Sequence, residues 1–196
     1  MKQFFLAAGA LALASCSSTS GPGQAPDKFR VKFETTKGDV LIDCIREWSP
    51  LGADRFHELV TSGFFDGARF FRIVPDFIVQ VGIKGDPKID AEWRERNIPD
   101  DPPSMTNAPA TITFAKSSMP NSRTTQIFIN IGNNARLDSQ GFTPFGRISE
   151  GMPAVLALNK EYGEAPNQGR IVQEGNAYLE REFPKLDYIK KATIVH

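Results

Sequence analysis

Hydrophobic and polar residues alternate from Phe29 to Thr36 and again from Val40 to Ile45, with Lys37-Gly38-Asp39 between them. That pattern predicts a β-hairpin. Ser49-Pro50 offers a capping serine followed by a first-turn proline, and Phe56, Leu59 and Val60 recur at helical spacing before Gly63. A helix from Pro50 to about Ser62 follows. Residues 70–74 and 77–82 read as two strands about a Pro75-Asp76 turn. Thr111–Ala115 and Gln126–Ile131 read as two more, joined through a Pro-Asn-Ser loop. Residues 83–110 read as a long loop, of a length that is usually functional or a wrapping segment. Met152-Pro153 opens a second short helix through about Lys160, residues 161–183 read as irregular, and Tyr188–Val195 closes the chain as a strand.

A strand sends alternate side chains to opposite faces. In the third and fourth segments Ile78 and Gln80 therefore project together, with Phe77 and Val79 opposite. Gln126 and Phe128 share one face, and Ile127 and Ile129 the other. Arg72 and Gln80 are thus embedded in an otherwise apolar surface. A planar charged fork beside an amide and aromatic rings suits an apolar, amide-bearing ligand such as a peptide. The window alone also permits an ordinary edge-strand arginine on a solvated face.

The 196 residues suffice for one domain with a sizeable core. Lysine plus arginine and aspartate plus glutamate number 23 each, and no basic stripe appears, so nucleic acid is not an expected partner. Fourteen prolines and sixteen glycines favour a loop-rich β protein over a helical bundle. No metal-ligand cluster or nucleophile constellation stands out, and no cofactor is expected. His57, with no serine, cysteine or carboxylate arranged around it in sequence, reads as a surface or structural histidine.

Lys2 followed by the apolar run Phe4–Ala14 reads as a targeting segment too short to span a bilayer. It ends in Leu13-Ala14-Ser15-Cys16, which resembles the processing box of bacterial lipoproteins. That resemblance implies a signal peptide over 1–15, a diacylglycerol on the Cys16 thiol, and a membrane held through lipid rather than a spanning helix. Residues 16–28 are rich in Gly, Ser and Pro and read as a flexible tether. Ser17, by the same resemblance, implies sorting to the periplasmic face of the outer membrane. Cys44 then lacks a disulfide partner and reads as a partly buried thiol rather than a reactive one.

Phe70, Arg72, Pro75, Phe77, Gln80 and Gly82, then Pro120-Asn121-Ser122 with Gln126, Phe128 and Ile129, then Leu137-Asp138 and Phe145-Gly146 occur in the order and spacing of one family. The set resembles the cyclophilin peptidyl-prolyl cis-trans isomerases over residues 29–196. The resemblance implies a mainly β fold, a closed eight-stranded antiparallel barrel capped by two short α-helices, with a ligand groove on its outer wall. It implies Arg72 as the catalytic residue and Phe77, Ile78, Phe128 and Leu137 as a proline pocket, with Phe142 covering a position where many members carry histidine. Gln80 and Gln126 match amide contacts that hold substrate and orient the arginine. Plain core packing is expected for Phe71, Ile127 and Ile129.

Lys116-Ser117 stand where members commonly have Ala-Asn, at a place where backbone groups contact substrate. Arg136 replaces a tryptophan common in eukaryotic members, which implies weak cyclosporin binding. The expected function is isomerisation of X-Pro bonds by a monomer acting on proline-containing segments of exported or unfolded proteins. The alternative is a module of the same fold that binds such segments with little turnover.

Overall fold

A computed structural model describes residues 23–195. Eight antiparallel strands form one sheet: β1 (Lys28–Thr35), β2 (Gly38–Ile45), β3 (Arg72–Val74), β4 (Ile78–Val81), β5 (Thr111–Phe114), β6 (Ile127–Asn130), β7 (Pro144–Glu150) and β8 (Ile189–Val195). Their spatial order is β3-β4-β6-β5-β7-β2-β1-β8. The sheet curls strongly but stays an open half-barrel, which corrects the expected closed barrel. The physical reason lies at its two end strands. β3 is three residues long, and its free edge is used by the Ile73 N–H, which donates to the Gly163 carbonyl at 3.1 Å. Only the segment before β3 reaches β8's side, through an isolated bridge between Arg69 and Tyr188.

Among the described residues there are five α-helices rather than two: α1 (Pro50–Thr61), α2 (Pro87–Arg94), α3 (Met152–Leu156), α4 (Gln168–Glu174) and α5 (Asn176–Glu182). Short 3-10 turns add Arg46–Trp48 and Ala135–Gln140. α2 lies inside the expected long loop. Asp86 caps it, accepting from the Lys88 and Ile89 N–H groups, and Pro87 fills its first turn. α4 and α5 replace the irregular stretch, and α3 stops four residues short of Lys160. Ser49 does not cap α1 with its own side chain. Asp101, far downstream of the helix, accepts the Leu51 and Gly52 N–H groups at 3.2 and 3.0 Å and also accepts a hydrogen bond from the Ser49 hydroxyl.

The concave face of the sheet packs Val31, Phe33, Ile42, Val79, Ile112, Phe114, Ile127 and Ile129 against α1. Phe56 joins Phe33, Phe65 and Phe145 at ring-centroid separations of 4.8–6.0 Å. A second cluster seats α4 and α5 through Ile171, Tyr178 and Leu179 on Phe71, Ile83 and Leu186. Cys44 is buried in the main core, where desolvation pushes its thiol well above the ordinary value. It therefore lacks the thiolate character that reactivity needs. Ala25 is also buried, its N–H bonded to Asp54 at 2.9 Å, so the last residues before β1 lie against α1 rather than hanging free. No described helix is long and apolar enough to cross a membrane. Residues 1–15 and Cys16 fall outside the described part.

Candidate active site

Strand register builds the site. Ile73, Val79, Ile129 and Ile112 pair across β3, β4, β6 and β5 and all face the core. The neighbouring row, Arg72, Gln80, Phe128 and Thr113, pairs across the same four strands and faces the opposite way. Two residues opposed in an antiparallel pair hold their Cβ atoms about 5 Å apart. The pairing alone therefore puts a guanidinium beside an amide beside an aromatic ring.

Hydrogen bonds extend the row. Arg72 Nη1 donates to Gln80 Oε1 at 3.0 Å, and Gln80 Nε2 donates to Gln126 Oε1 at 2.7 Å. Ile78, Phe128 and Leu137 form a small apolar cluster of their own, joined by Phe77 and Phe142. Phe142 meets Phe128 edge-on at 5.8 Å. Leu137 is delivered by the 3-10 turn, which Gly141 ends at φ +76°.

Phe77 corrects a sequence expectation. Strand alternation would send it to the face opposite Ile78, yet it packs with Ile78 around the pocket. It lies in the turn, before β4 begins, so alternation does not apply to it. The turn runs Val74-Pro75-Asp76-Phe77, closed by the Phe77 N–H donating to Val74 O at 3.1 Å, with Asp76 at φ +57°. The Phe77 carbonyl accepts from Ile131 N–H at 3.0 Å and Asn134 Nδ2 at 2.9 Å. Gly132 makes that approach possible: a Cβ there would sit 1.9 Å from Asp76 O.

A buried amide network behind the pocket was not anticipated. Asn107, Asn130 and Asn134 are each fully buried. Asn134 Nδ2 also donates to Asn130 Oδ1 at 2.7 Å, and Asn130 Nδ2 to Asn107 Oδ1 at 3.2 Å. Asn107 Nδ2 reaches Asp138 Oδ1 and the Phe142 carbonyl, both at 2.8 Å. Three walls of the pocket thus hang on one polar skeleton. Its sequence signal is the run of amides at Asn130, Asn133 and Asn134, which periodicity does not explain.

One cavity of about 490 Å³ is lined by Arg72, Phe77, Ile78, Gln80, Lys116, Ser117, Gln126, Phe128, Leu137 and Phe142. These are the ten groove residues singled out in the sequence. Ala115, Ser122, Thr124 and Gln168 also line it and were not anticipated. The Lys116 ammonium is bonded to Asp100 at 3.0 Å and lies 5.5 Å from the Phe142 ring centroid, so it lies along the wall as part of an ion pair. Burial alone would raise the Asp100 carboxyl, but the Asn121 N–H and the Lys116 ammonium outweigh it and hold the group below its ordinary value. The Arg136 guanidinium lies 4.6 Å from the Phe77 centroid. Phe71, Ile127 and Ile129 are core residues, and His57 packs edge-on to Phe29 at 5.1 Å, away from the cavity.

Such an arrangement offers a fixed cationic donor beside an apolar cluster in one cavity. Residues 30–176 match the family described as cyclophilin type peptidyl-prolyl cis-trans isomerase/CLD. The chain is 29% identical over 179 residues to peptidyl-prolyl cis-trans isomerase A of Dickeya dadantii, covering 85% of this chain and 93% of that one. It is 28% identical over 182 residues to a probable peptidyl-prolyl cis-trans isomerase of Brucella abortus, covering 86% and 92%. Among solved structures, a cyclophilin type peptidyl-prolyl cis-trans isomerase of Cryptosporidium parvum superposes with a TM-score of 0.62 at 20% identity, over 86% of this chain and 98% of that one. The same protein in the presence of the dipeptide ala-pro gives 0.61 at 20% identity, over 85% and 99%. Cyclophilin AquaCyp293 from Hirschia baltica gives 0.62 at 17%, over 87% and 75%.

Proposed function

The chain belongs to the cyclophilin-type peptidyl-prolyl cis-trans isomerases, and on that premise we propose that X-Pro bonds turn in the groove beside Arg72, with the proline ring seated among Phe77, Ile78, Phe128, Leu137 and Phe142. Rotation must break amide resonance against a barrier of about 18–20 kcal/mol. Unaided exchange takes on the order of tens to hundreds of seconds. No covalent bond forms or breaks. In the twisted transition state the prolyl nitrogen regains its lone pair, and a donor aimed at it stabilises the twisted form more than either planar one.

Arg72 is that donor. The observation carrying the reading is its bond to Gln80, itself bonded to Gln126, which holds the guanidinium over the apolar cluster. A charge-assisted hydrogen bond contributes roughly 1.5–3 kcal/mol. At about 1.36 kcal/mol per decade, that is one to two decades of rate. The pocket supplies grip: three ring methylenes at about 0.8 kcal/mol each give about 2 kcal/mol. Exchange spectroscopy or a protease-coupled assay on an Ala-Pro tetrapeptide tests this. Acceleration over solvent is expected. A solvent rate with peptide still bound would instead support a binding module.

The client class and location follow from the other end of the chain. Cys16 in its Leu-Ala-Ser-Cys setting supports lipid attachment, with more than one acyl chain needed for stable anchoring. The enzyme then works as a monomer at the cell envelope, on the periplasmic face of the outer membrane, assisting exported proteins. Cys16→Ala should leave an uncut or soluble precursor. Full recovery of that variant in a detergent phase would overturn the anchor.

A further inference from the structure

We infer that Glu164 is a positioning residue for Arg72, fixing the orientation of its guanidinium from a loop outside the sheet; this rests on the isomerase reading of the groove. Arg72 Nε donates to Glu164 Oε1 at 2.7 Å, and Nη2 lies 2.6 Å from the same oxygen. Nη1 is held from the other side by Gln80. A guanidinium carries five N–H groups in one plane. Two acceptors on different edges fix that plane, and they leave N–H groups on both terminal nitrogens for a ligand. Either acceptor alone would leave the side chain free to swing about its long stem.

The loop presenting Glu164 is built for its place. The Gly163 carbonyl accepts the Ile73 N–H, one residue from Arg72, which docks the loop on the free edge of β3. Gly163 adopts φ +52° in a tight turn closed by Ala165 N–H to Tyr162 O at 2.9 Å. Tyr162 packs on Phe183 at 5.1 Å, and the Asn167 N–H donates to the Tyr178 hydroxyl at 3.1 Å. The Glu164 side chain itself is 60% exposed. An ion pair that exposed contributes little to folding. Its effect falls instead on where Arg72 points.

The test compares wild type, Glu164→Ala, Glu164→Gln, Arg72→Ala and the Arg72→Ala/Glu164→Ala double variant on one Ala-Pro tetrapeptide. Glu164→Ala should lower kcat by about three- to tenfold with KM within about twofold, because only transition-state contacts are blurred. Glu164→Gln keeps an acceptor oxygen and should recover at least about half of wild-type kcat. In the Arg72→Ala background the alanine at 164 should have no further effect. The Arg72 Nε–H resonance should be sharp in wild type and Glu164→Gln and exchange-broadened in Glu164→Ala. A Glu164→Ala kcat at or above wild type, equal losses in Ala and Gln, or an unchanged Arg72 resonance overturns the role of Glu164 while leaving an active wild type as an isomerase. A wild type that does not accelerate exchange removes the isomerase reading itself.

Discussion

Arg72 and Gln80 stand directly opposite each other on β3 and β4, and their side chains meet at 3.0 Å. Backbone pairing and side-chain bonding thus specify the same neighbour. One of the two supports of the donor thus comes from the sheet itself, and the other from the loop that carries Glu164.

Arg72→Ala should cut kcat/KM at least about tenfold, the loss of one charge-assisted bond in the transition state. The side chain is 27% exposed and makes its bonds on the outer face, so the melting temperature should move little. Arg72→Lys should stay impaired, since an ammonium cannot bond Gln80 and Glu164 on two edges at once. A parallel loss of activity and melting temperature would show that the residue is structural.

Truncating the pocket should separate grip from fold according to depth. Phe128 is 3% exposed and touches both the cluster and the Phe142 ring. Phe128→Ala should cost about 3 kcal/mol in denaturant unfolding and raise KM together. Phe142 is only partly buried. Phe142→Ala should raise KM with a stability loss below about 1.5 kcal/mol. Equal stability losses in the two variants would contradict the depth assignment.

Asn134→Leu should act at a distance. It removes the donor to Phe77 O and to Asn130 Oδ1, leaving the buried Asn130 acceptor without that partner. The expected cost is about 2–3 kcal/mol, read as a fall of about 4–12 °C in Tm. KM should also rise, because Phe77 loses one of the bonds that fix its carbonyl. An unchanged KM would detach the amide network from the pocket.

Stability should decline as pH falls through the window just below 6.5, and His57 is the cause. Burial lowers its imidazole below the ordinary value of 6.5, with Asp54 opposing. In that window the unfolded chain binds the proton more readily than the folded one, so unfolding becomes easier as acid is added. The contribution is fully present above 6.5. His57→Gln should flatten the slope of Tm against pH just below 6.5, and should leave isomerisation of the tetrapeptide unaltered. A steeper slope in the variant would reverse the sign.

Much of the site was legible because it is written in short-range parity. Alternation sets Gln80 against Val79 and Phe128 against Ile129 within their own strands, and the register then joins Arg72, Gln80 and Phe128 on one face. Phe77 broke the rule because it belongs to a turn, where direction is set by Asp76 and by the carbonyl contacts of Asn134 and Ile131. The closed barrel failed for a long-range reason: nothing local to Arg72–Val74 says that its outer edge will bond Gly163 rather than β8. α4 and α5 were missed because each has only seven residues and the Gly175 between them adopts φ +69°. Their helicity comes from packing Ile171 and Tyr178 against the second cluster. α2 carried a readable start in Asp86-Pro87, overlooked beneath a charged composition. Asp101 as the cap of α1 had no sequence signal, since the bond spans fifty residues.

The turn at Pro75-Asp76 carries a hidden arithmetic. Deleting one residue upstream of it, while the hairpin kept its closure, would shift β3 by a single step and turn the ribbon over. Ile73 would then meet water, and the guanidinium would be driven into the oily interior. Insertions or losses in pairs preserve parity, so length variation near this corner is tolerable in even steps and ruinous in odd ones.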